Sequence, residues 1–456
     1  MKLTVKGNIN YSAQIVKIKN IILLENSDNI VGTNINGNHV IVSKDTKIGD
    51  LGIFFPVECS ISGDFLKVNN LYRDKTLNAD NTKSGFFELN GRVRCVKLRG
   101  HRGEGFFIPI SSIIGFIEGY EDIEMWDIKE GISFDYIDDI KICEKYIIPN
   151  RQHSQGNGVK KGRKSKISRI VKDQFRFHQD TEQLGRNLNK FTLDTPIQIS
   201  IKVHGTSAIS SNILCNKKLN AFQKLLLKLG FKFVITEYDN IYSSRKVLKN
   251  DDINKTQHFY TEDIWKKGND LLKEFIDKSM TIYYEIVGYL GDNTYIQKEF
   301  DYGCEPGKFD IYVYRITITN IDGKVYEFTP EQIQMWCKQR GLKSVIEVYK
   351  GTIRNLFRVH QDKNLDLYLQ HTIYGNESIP WQENFLNLLR NDLEGGIEKR
   401  CTICKNNVPF EGWVIRKLDT LDFEAYKLKS FLFLKKETEE IDKGIENVED
   451  NQEEIV

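Results

Sequence analysis

The stretch Ile199-Ser200-Ile201-Lys202-Val203-His204-Gly205-Thr206-Ser207 decides how this chain is read. Apolar and polar residues alternate up to Lys202, the period of a strand buried on one face, and the run ends in a glycine. The pattern predicts a strand that delivers a lysine to a tight turn, with Gly205 allowing the sharp bend and the hydroxyls of Thr206 and Ser207 close behind. A lysine so placed suits attack of an amine on a nucleotide α-phosphate. That attack needs the neutral amine, so cations, a metal or desolvation must lower a pKa that is about 10.4 in water. Taken alone, the tetrad also describes a surface lysine before a β-turn, and the rest of the chain has to decide.

More elements follow in a fixed order. Tyr242-Ser243-Ser244-Arg245-Lys246 sets an arginine after hydroxyls. Thr281 to Gly288 is a strand pattern that presents Glu285 just before a glycine. Lys308 to Ile316 is an aromatic-rich strand containing Tyr314, and Phe410-Glu411-Gly412-Trp413 places a second carboxylate before a glycine. Ala425-Tyr426-Lys427-Leu428-Lys429 puts two lysines on one strand face, because side chains repeat every second residue. Each alone reads as an edge carboxylate, a core aromatic or a solvated face. Their joint occurrence after the lysine turn is what carries weight.

Composition sets the frame. The chain has 456 residues, 40% of them apolar, and a formal net charge of +2. This length supports at least two domains. The small net charge hides a basic middle and an acidic end. Eight scattered cysteines and an amino terminus without an apolar core predict a reduced, cytoplasmic protein. No run approaches the roughly 20 apolar residues of a membrane span. Cys401-Thr402-Ile403-Cys404 is a single pair with no second pair at zinc spacing, so two reduced loop cysteines are expected.

Residues 1–146 read as mostly β, with short alternating runs at Tyr11 to Ile22, His39 to Ser43, Leu51 to Pro56 and Arg92 to Leu98 between turn signals. A small closed barrel is predicted. The run from Asn26 to Glu58 resembles the OB-fold modules related to tRNA-binding domains, and Lys97, Arg99 and Arg102 form a basic loop suited to backbone phosphates. Residues 147–170 read as a linker whose Lys160, Lys161, Arg163 and Lys164 attract the same chemistry. A second domain spans 171–436. Within it, Leu219 to Phe231 has a helical period that predicts a core-packed helix or a nucleic-acid contact, and an acidic tail at 437–456 is expected to lack order.

Together the motifs resemble the covalent nucleotidyltransferase superfamily, and within it the ATP-dependent RNA ligases of phage and bacterial type with an N-terminal OB domain. The resemblance implies an α+β chain: an OB-like β-barrel, then a nucleotidyltransferase (ATP-grasp-like ligase) domain of antiparallel sheets with flanking helices. It implies Lys202 as the nucleophile, with His204, Gly205 and Ser207 beside the nucleotide. Arg245 would face a phosphate, Glu285 the ribose hydroxyls and Tyr314 the adenine. Glu411 would bind the metal, and Lys427 and Lys429 would neutralise the α-phosphate. ATP with Mg²⁺ or Mn²⁺, RNA or a nicked RNA/DNA duplex as partner, a role in RNA repair and a monomeric state follow from the same resemblance. DNA ligases and capping enzymes share the lysine chemistry but carry an OB domain after the core, and only residues 430–456 follow Lys429 here. The other class to weigh is a nucleic-acid tether with a degenerate transferase half.

Overall fold

The computed structural model describes residues 2–117, 128–148, 169–249, 260–360 and 381–445. Most of the basic stretch expected as a linker, with Lys160, Lys161, Arg163 and Lys164, lies outside the described residues.

The N-terminal region is antiparallel β, as its alternating runs require. Strands β1 (Ala13–Lys17), β2 (Ile30–Ile35), β3 (Asn38–Ser43), β4 (Leu51–Phe55), β5 (Cys95–Leu98), β6 (His101–Glu104), β7 (Phe106–Pro109) and β8 (Ser133–Phe134) contribute a four-stranded sheet in the order β8-β1-β4-β7 and the hairpins β2-β3 and β5-β6. Among the described residues these strands do not close into one hydrogen-bonded barrel, which corrects the closed barrel read from the sequence. The reason is local. Where β3 meets β6, the His39 N–H donates to the Glu104 carboxylate at 2.8 Å and His39 Nδ1 meets the Arg102 carbonyl at 2.7 Å, so side chains stand in for a backbone ladder.

Two sheets build the rest. The first holds β9 (Glu182–Gln183), β10 (Pro196–Ile201), β16 (Glu347–Thr352), β17 (Gly412–Lys417) and β18 (Ala425–Lys429) in the order β9-β18-β17-β10-β16. The second holds β11 (Thr206–Asn216), β12 (Thr236–Ser244), β13 (Met280–Gly288), β14 (Phe309–Thr319) and β15 (Val325–Glu327) in the order β12-β11-β13-β14-β15, with Lys343–Ser344 added in parallel to β14. Ile197 and Ile199 of β10 are fully buried in the core of the first sheet. Each such side chain contributes about 1.5–3 kcal/mol by leaving water. Ile282, Tyr284 and Ile286 of β13 pack under helix α2 (Ile264–Leu272), so the alternating residue Glu285 faces the other way.

The chain leaves the first sheet at Ile201 and enters the second at Thr206, and Lys202 to Gly205 cross between them. Gly205 is required there by close approach: a Cβ would stand 2.5 Å from the Ile286 carbonyl. Gly205 does not have a positive φ, so the glycine expected to allow a sharp turn is needed for close approach and not for a left-handed backbone.

Two helices depart from expectation. Helix α1 (Ala221–Lys228) forms where its period predicts, yet none of its residues is buried, and Phe222 and Leu225 are exposed. Helix α3 (Phe431–Asp442) runs through the start of the supposed unordered tail. Ser430 caps it, its Oγ accepting from Phe433 N–H at 3.1 Å, and the Glu398 carboxylate accepts from the N–H groups of Phe431 and Leu432. No helix among the described residues is long and apolar enough to cross a membrane.

Gly412 pairs with Lys429 between β17 and β18, has φ +150°, and would bring a Cβ to 2.0 Å from the Leu428 carbonyl. Gly412→Ala is therefore expected to cost about 2 kcal/mol or more of unfolding free energy by urea titration. A variant as stable as the wild type contradicts the strand register.

Candidate active site

The lysine crossing lies over a cavity of about 470 Å³. That volume suits a nucleotide-sized ligand. Its wall includes Lys202, His204, Gly205, Ser207, Arg245, Glu285, Glu411, Lys427 and Lys429, so the structure brings together residues that the sequence places more than two hundred positions apart. The N-terminal region closes one side with Asn10, Tyr11, Glu58 and Lys145.

Lys202 Nζ stands 2.8 Å from Glu411 Oε1, and the Lys202 backbone N–H donates to the Gly412 carbonyl at 2.9 Å. The lysine is thus tied to β17 by both main chain and side chain. Glu411 is buried. Burial pushes its pKa up, but the Lys202 ammonium, His204 and Lys429 outweigh it and hold the carboxyl below its ordinary value. Its Oε2 is buried with no hydrogen-bond partner, so the site offers one carboxylate oxygen to something the protein itself does not supply.

Lys427 and Lys429 both face the cavity from β18. Burial lowers the Lys427 pKa to about 7, with repulsion from Lys429, Lys202 and Arg245 adding to it. No carboxylate lies within ion-pair distance of its ammonium among the described residues. Lys429 behaves oppositely: burial lowers its pKa, but Glu437 and Glu411 reverse the sign and raise it. Glu437 holds it with both carboxylate oxygens at 2.8 Å.

Arg245 follows β12 and donates to Asp180 Oδ1 from Nε at 3.1 Å and Nη2 at 2.7 Å. Burial works against the Asp180 carboxylate, yet Arg245, with help from His178 and Lys427, brings its pKa down to about 2. Glu285 faces Ser207 across the β11–β13 pair. Trp265 Nε1 donates to the Ser207 carbonyl at 3.1 Å and the Gln297 side chain to the Gly205 carbonyl at 2.7 Å, which fixes the turn from both sides. The His204 ring meets Phe300 and Phe433 edge-on at 4.8 and 4.9 Å, while the His204 backbone N–H donates to the Tyr302 hydroxyl.

Tyr314 stands apart from the cavity wall. The β13–β14 register skips it between Tyr283 and Tyr284, a bulge that turns its hydroxyl to His178 Nδ1 at 2.7 Å and Ser207 Oγ at 3.4 Å. His178 lines the cavity in front of it. Arg315, one residue on, pairs with Glu327 and stacks on Tyr283, a structural role away from the cavity.

Lys97, Arg99 and Arg102 belong to the β5–β6 hairpin and do not line the cavity. Lys97 and Arg99 are exposed. Arg102 is committed to Glu398 at 3.2 Å and to the Phe431 ring, so it seats the hairpin on α3. Among the described residues no group of three ligands joins Cys401 and Cys404 into a metal site. Sequence reasoning missed Asp180, His178 and Glu437 as site residues. The polar run His178 to Asp180, upstream of the nucleophile strand, was a usable signal, whereas Glu437 was hidden among tail acids.

No family model matches the chain, and no curated protein does. Solved structures do. A Naegleria gruberi RNA ligase mutant with ATP and manganese superposes with a TM-score of 0.52 at 15% identity, covering 93% of this chain and 98% of that one. Another mutant, with AMP and manganese, gives 0.51 at 15% over 93% and 98%, and the ligase with pyrophosphate gives 0.50 at 15% over 94% and 98%. The chain has the fold of that RNA ligase. The ligase fold spans both the N-terminal β region and the two sheets, since the match covers nearly the whole chain.

The low Lys427 pKa has a measurable sign. An unfolded lysine titrates at about 10.4, so between pH 7 and 10 the unfolded chain binds the extra proton and stability rises with pH. Urea titrations at pH 7 and 9 are expected to show a steeper rise for the wild type than for Lys427→Met. Parallel behaviour of the two proteins contradicts the assignment.

Proposed function

We propose that this protein is an ATP-dependent RNA ligase that joins 3′-hydroxyl and 5′-phosphate ends through a lysyl-AMP intermediate. The observation that carries this reading is the cavity in which Lys202, at the crossing between sheets, meets Glu411 on one side and the paired lysines of β18 on another. The structurally similar ligase was solved with ATP, AMP and pyrophosphate, the nucleotide substrate and the two released products of such a reaction sequence.

Lys202 attacks the α-phosphorus of ATP as the free amine. A phosphorus–nitrogen bond forms, the bond from the α-phosphorus to the bridging oxygen breaks, and pyrophosphate leaves. AMP then passes to the 5′-phosphate of one RNA end, which frees the lysine, and the 3′-hydroxyl of the other end attacks that phosphate and expels AMP. Lys427 and Lys429 stabilise the charge on phosphorus in all three displacements, and Arg245 grips a phosphate with its planar fork. Glu285, on the cavity wall, accepts from the ribose hydroxyls. Tyr314 acts through His178, which it holds against the cavity, so His178 presents the ring that meets the base.

The unpartnered Oε2 of Glu411 fits a divalent ion, Mg²⁺ or Mn²⁺. Bound there, such an ion supplies charge neutralisation to the phosphate oxygens. We assign the N-terminal region to 146 as an OB-like arm that grips RNA, residues 147–170 as a linker to it, and the remainder as the transferase of a monomeric cytoplasmic enzyme. The degenerate-tether reading is disfavoured because the acids and lysines the chemistry needs share one cavity.

Incubation with α-labelled ATP and Mg²⁺ followed by denaturation is expected to leave label on the wild type and none on Lys202→Ala. Label from GTP alone would move the protein to capping chemistry, and no label with RNA binding intact would make it a tether. In a separate assay, the double variant Lys97→Glu, Arg99→Glu is expected to slow RNA joining about tenfold and flatten its salt dependence while self-adenylylation is unchanged. Equal loss of both activities contradicts the arm assignment.

A further inference from the structure

Each of three cations at the cavity faces a carboxylate: Lys202 faces Glu411, Arg245 faces Asp180 and Lys429 faces Glu437. A triphosphate entering the cavity has to compete with those acids for the same cations. Glu411 belongs to the nucleophile strand pair, and Asp180 lies just before β9. Glu437 differs from both, because it rides on α3, which also pairs through Lys436 with Glu299 and, at its C-terminal end, makes polar contacts into the N-terminal region. Next to it, Thr438 Oγ1 donates to Glu58 at 3.1 Å and accepts from the Cys95 N–H at 3.2 Å. One turn on, Asp442 takes Arg92 Nη1 at 2.8 Å, while the same buried guanidinium holds Glu58 with Nε and Nη2 at 2.9 and 2.8 Å.

We propose that Glu437 is a positioning residue, an internal counter-ion that holds Lys429 in the nucleotide-free enzyme and gives it up to a nucleotide phosphate, so that α3 reports nucleotide occupancy to the N-terminal region. This rests on the ligase reading. A carboxylate and a phosphate cannot share one buried ammonium without strong repulsion. Burial, with the negative charges of Glu411 and Glu58 adding to it, pushes the Glu437 pKa up to about 7 against the pull of Lys429. Among the described residues, Lys429 is the cation that pairs with this carboxylate. When phosphate takes the ammonium, the Glu437 turn of α3 has reason to move, and Thr438 and Asp442 carry the movement to Glu58 and Arg92. By reciprocity, seating of the N-terminal region sets how tightly nucleotide binds.

The test is the ATP dependence of self-adenylylation in single-turnover experiments on the full chain. Glu437→Gln keeps the shape and removes the charge. It is expected to lower the half-saturating ATP concentration about fivefold while the maximal rate changes by less than about twofold. Glu437→Asp, which restores the charge, moves the constant back toward wild type. An unchanged or raised constant in Glu437→Gln, or a lost maximal rate with an unchanged constant, overturns the proposal. Should Glu437→Gln not fold, hydrogen exchange on the wild type decides: peptides across Phe431–Asp442 and Arg92 are expected to exchange faster with pyrophosphate present, and unchanged or slower exchange overturns it. A wild type that takes no label removes the ligase reading and this inference with it. A labelled wild type whose Glu437→Gln variant behaves identically removes this inference alone.

Discussion

The ion pair between Lys202 and Glu411, at 2.8 Å, fixes the geometry of the cavity. It joins the segment that crosses between two sheets to the strand beside it, and it exists only because both neighbouring backbones approach closely. Gly205 lets the crossing pass against β13, and Gly412 lets β17 pass against β18. A Cβ at Gly205 would push the crossing off β13, and one at Gly412 would part β17 from β18, where the lysine and the carboxylate meet. The glycine that follows each of these two groups is therefore a packing requirement of the site, not a feature of a free turn.

Electrostatics then divides the lysines of the cavity. Lys202 and Lys429 each have a carboxylate partner, while Lys427 lies between other cations and burial brings its pKa to about 7. Pairing Lys202, Arg245 and Lys429 with acids before any ligand arrives lowers the penalty of burying their charge in the resting protein. The cost is competition. Phosphate must displace carboxylates, and the orphaned Glu411 Oε2 marks where an added positive charge relieves that competition. The same bookkeeping ties the two halves of the chain together, because Arg92 answers both Glu58 and Asp442.

Much of this was legible in the sequence because strands betray their faces. The alternation around Lys202, Glu285, Lys427 and Lys429 placed each on a strand, and in the structure all four open into one cavity. Tyr314 escaped that logic, since a bulge breaks the two-residue period and redirects its hydroxyl to His178. Helix α1 escaped it in the other sense: its period was read correctly as helical, but period alone does not say that a partner surface exists, and its apolar residues stay exposed. The acidic end misled because composition averages over residues, whereas one glutamate in it is fixed by Lys429 and another side chain, Thr438, by Glu58. The barrel expectation followed strand spacing, which does not reveal that β3 and β6 meet through side chains.

The most direct measurement is the location of the covalent nucleotide. Two lysines of the cavity are chemically eligible, Lys202 by its place in the chain and Lys427 by its low pKa. Peptide mapping of the ATP-treated protein by mass spectrometry, under mildly alkaline conditions that preserve a phosphoramidate, reads which one reacts. AMP is expected on the peptide containing Lys202, with Lys427 unmodified. AMP on Lys427 contradicts Lys202 as the nucleophile.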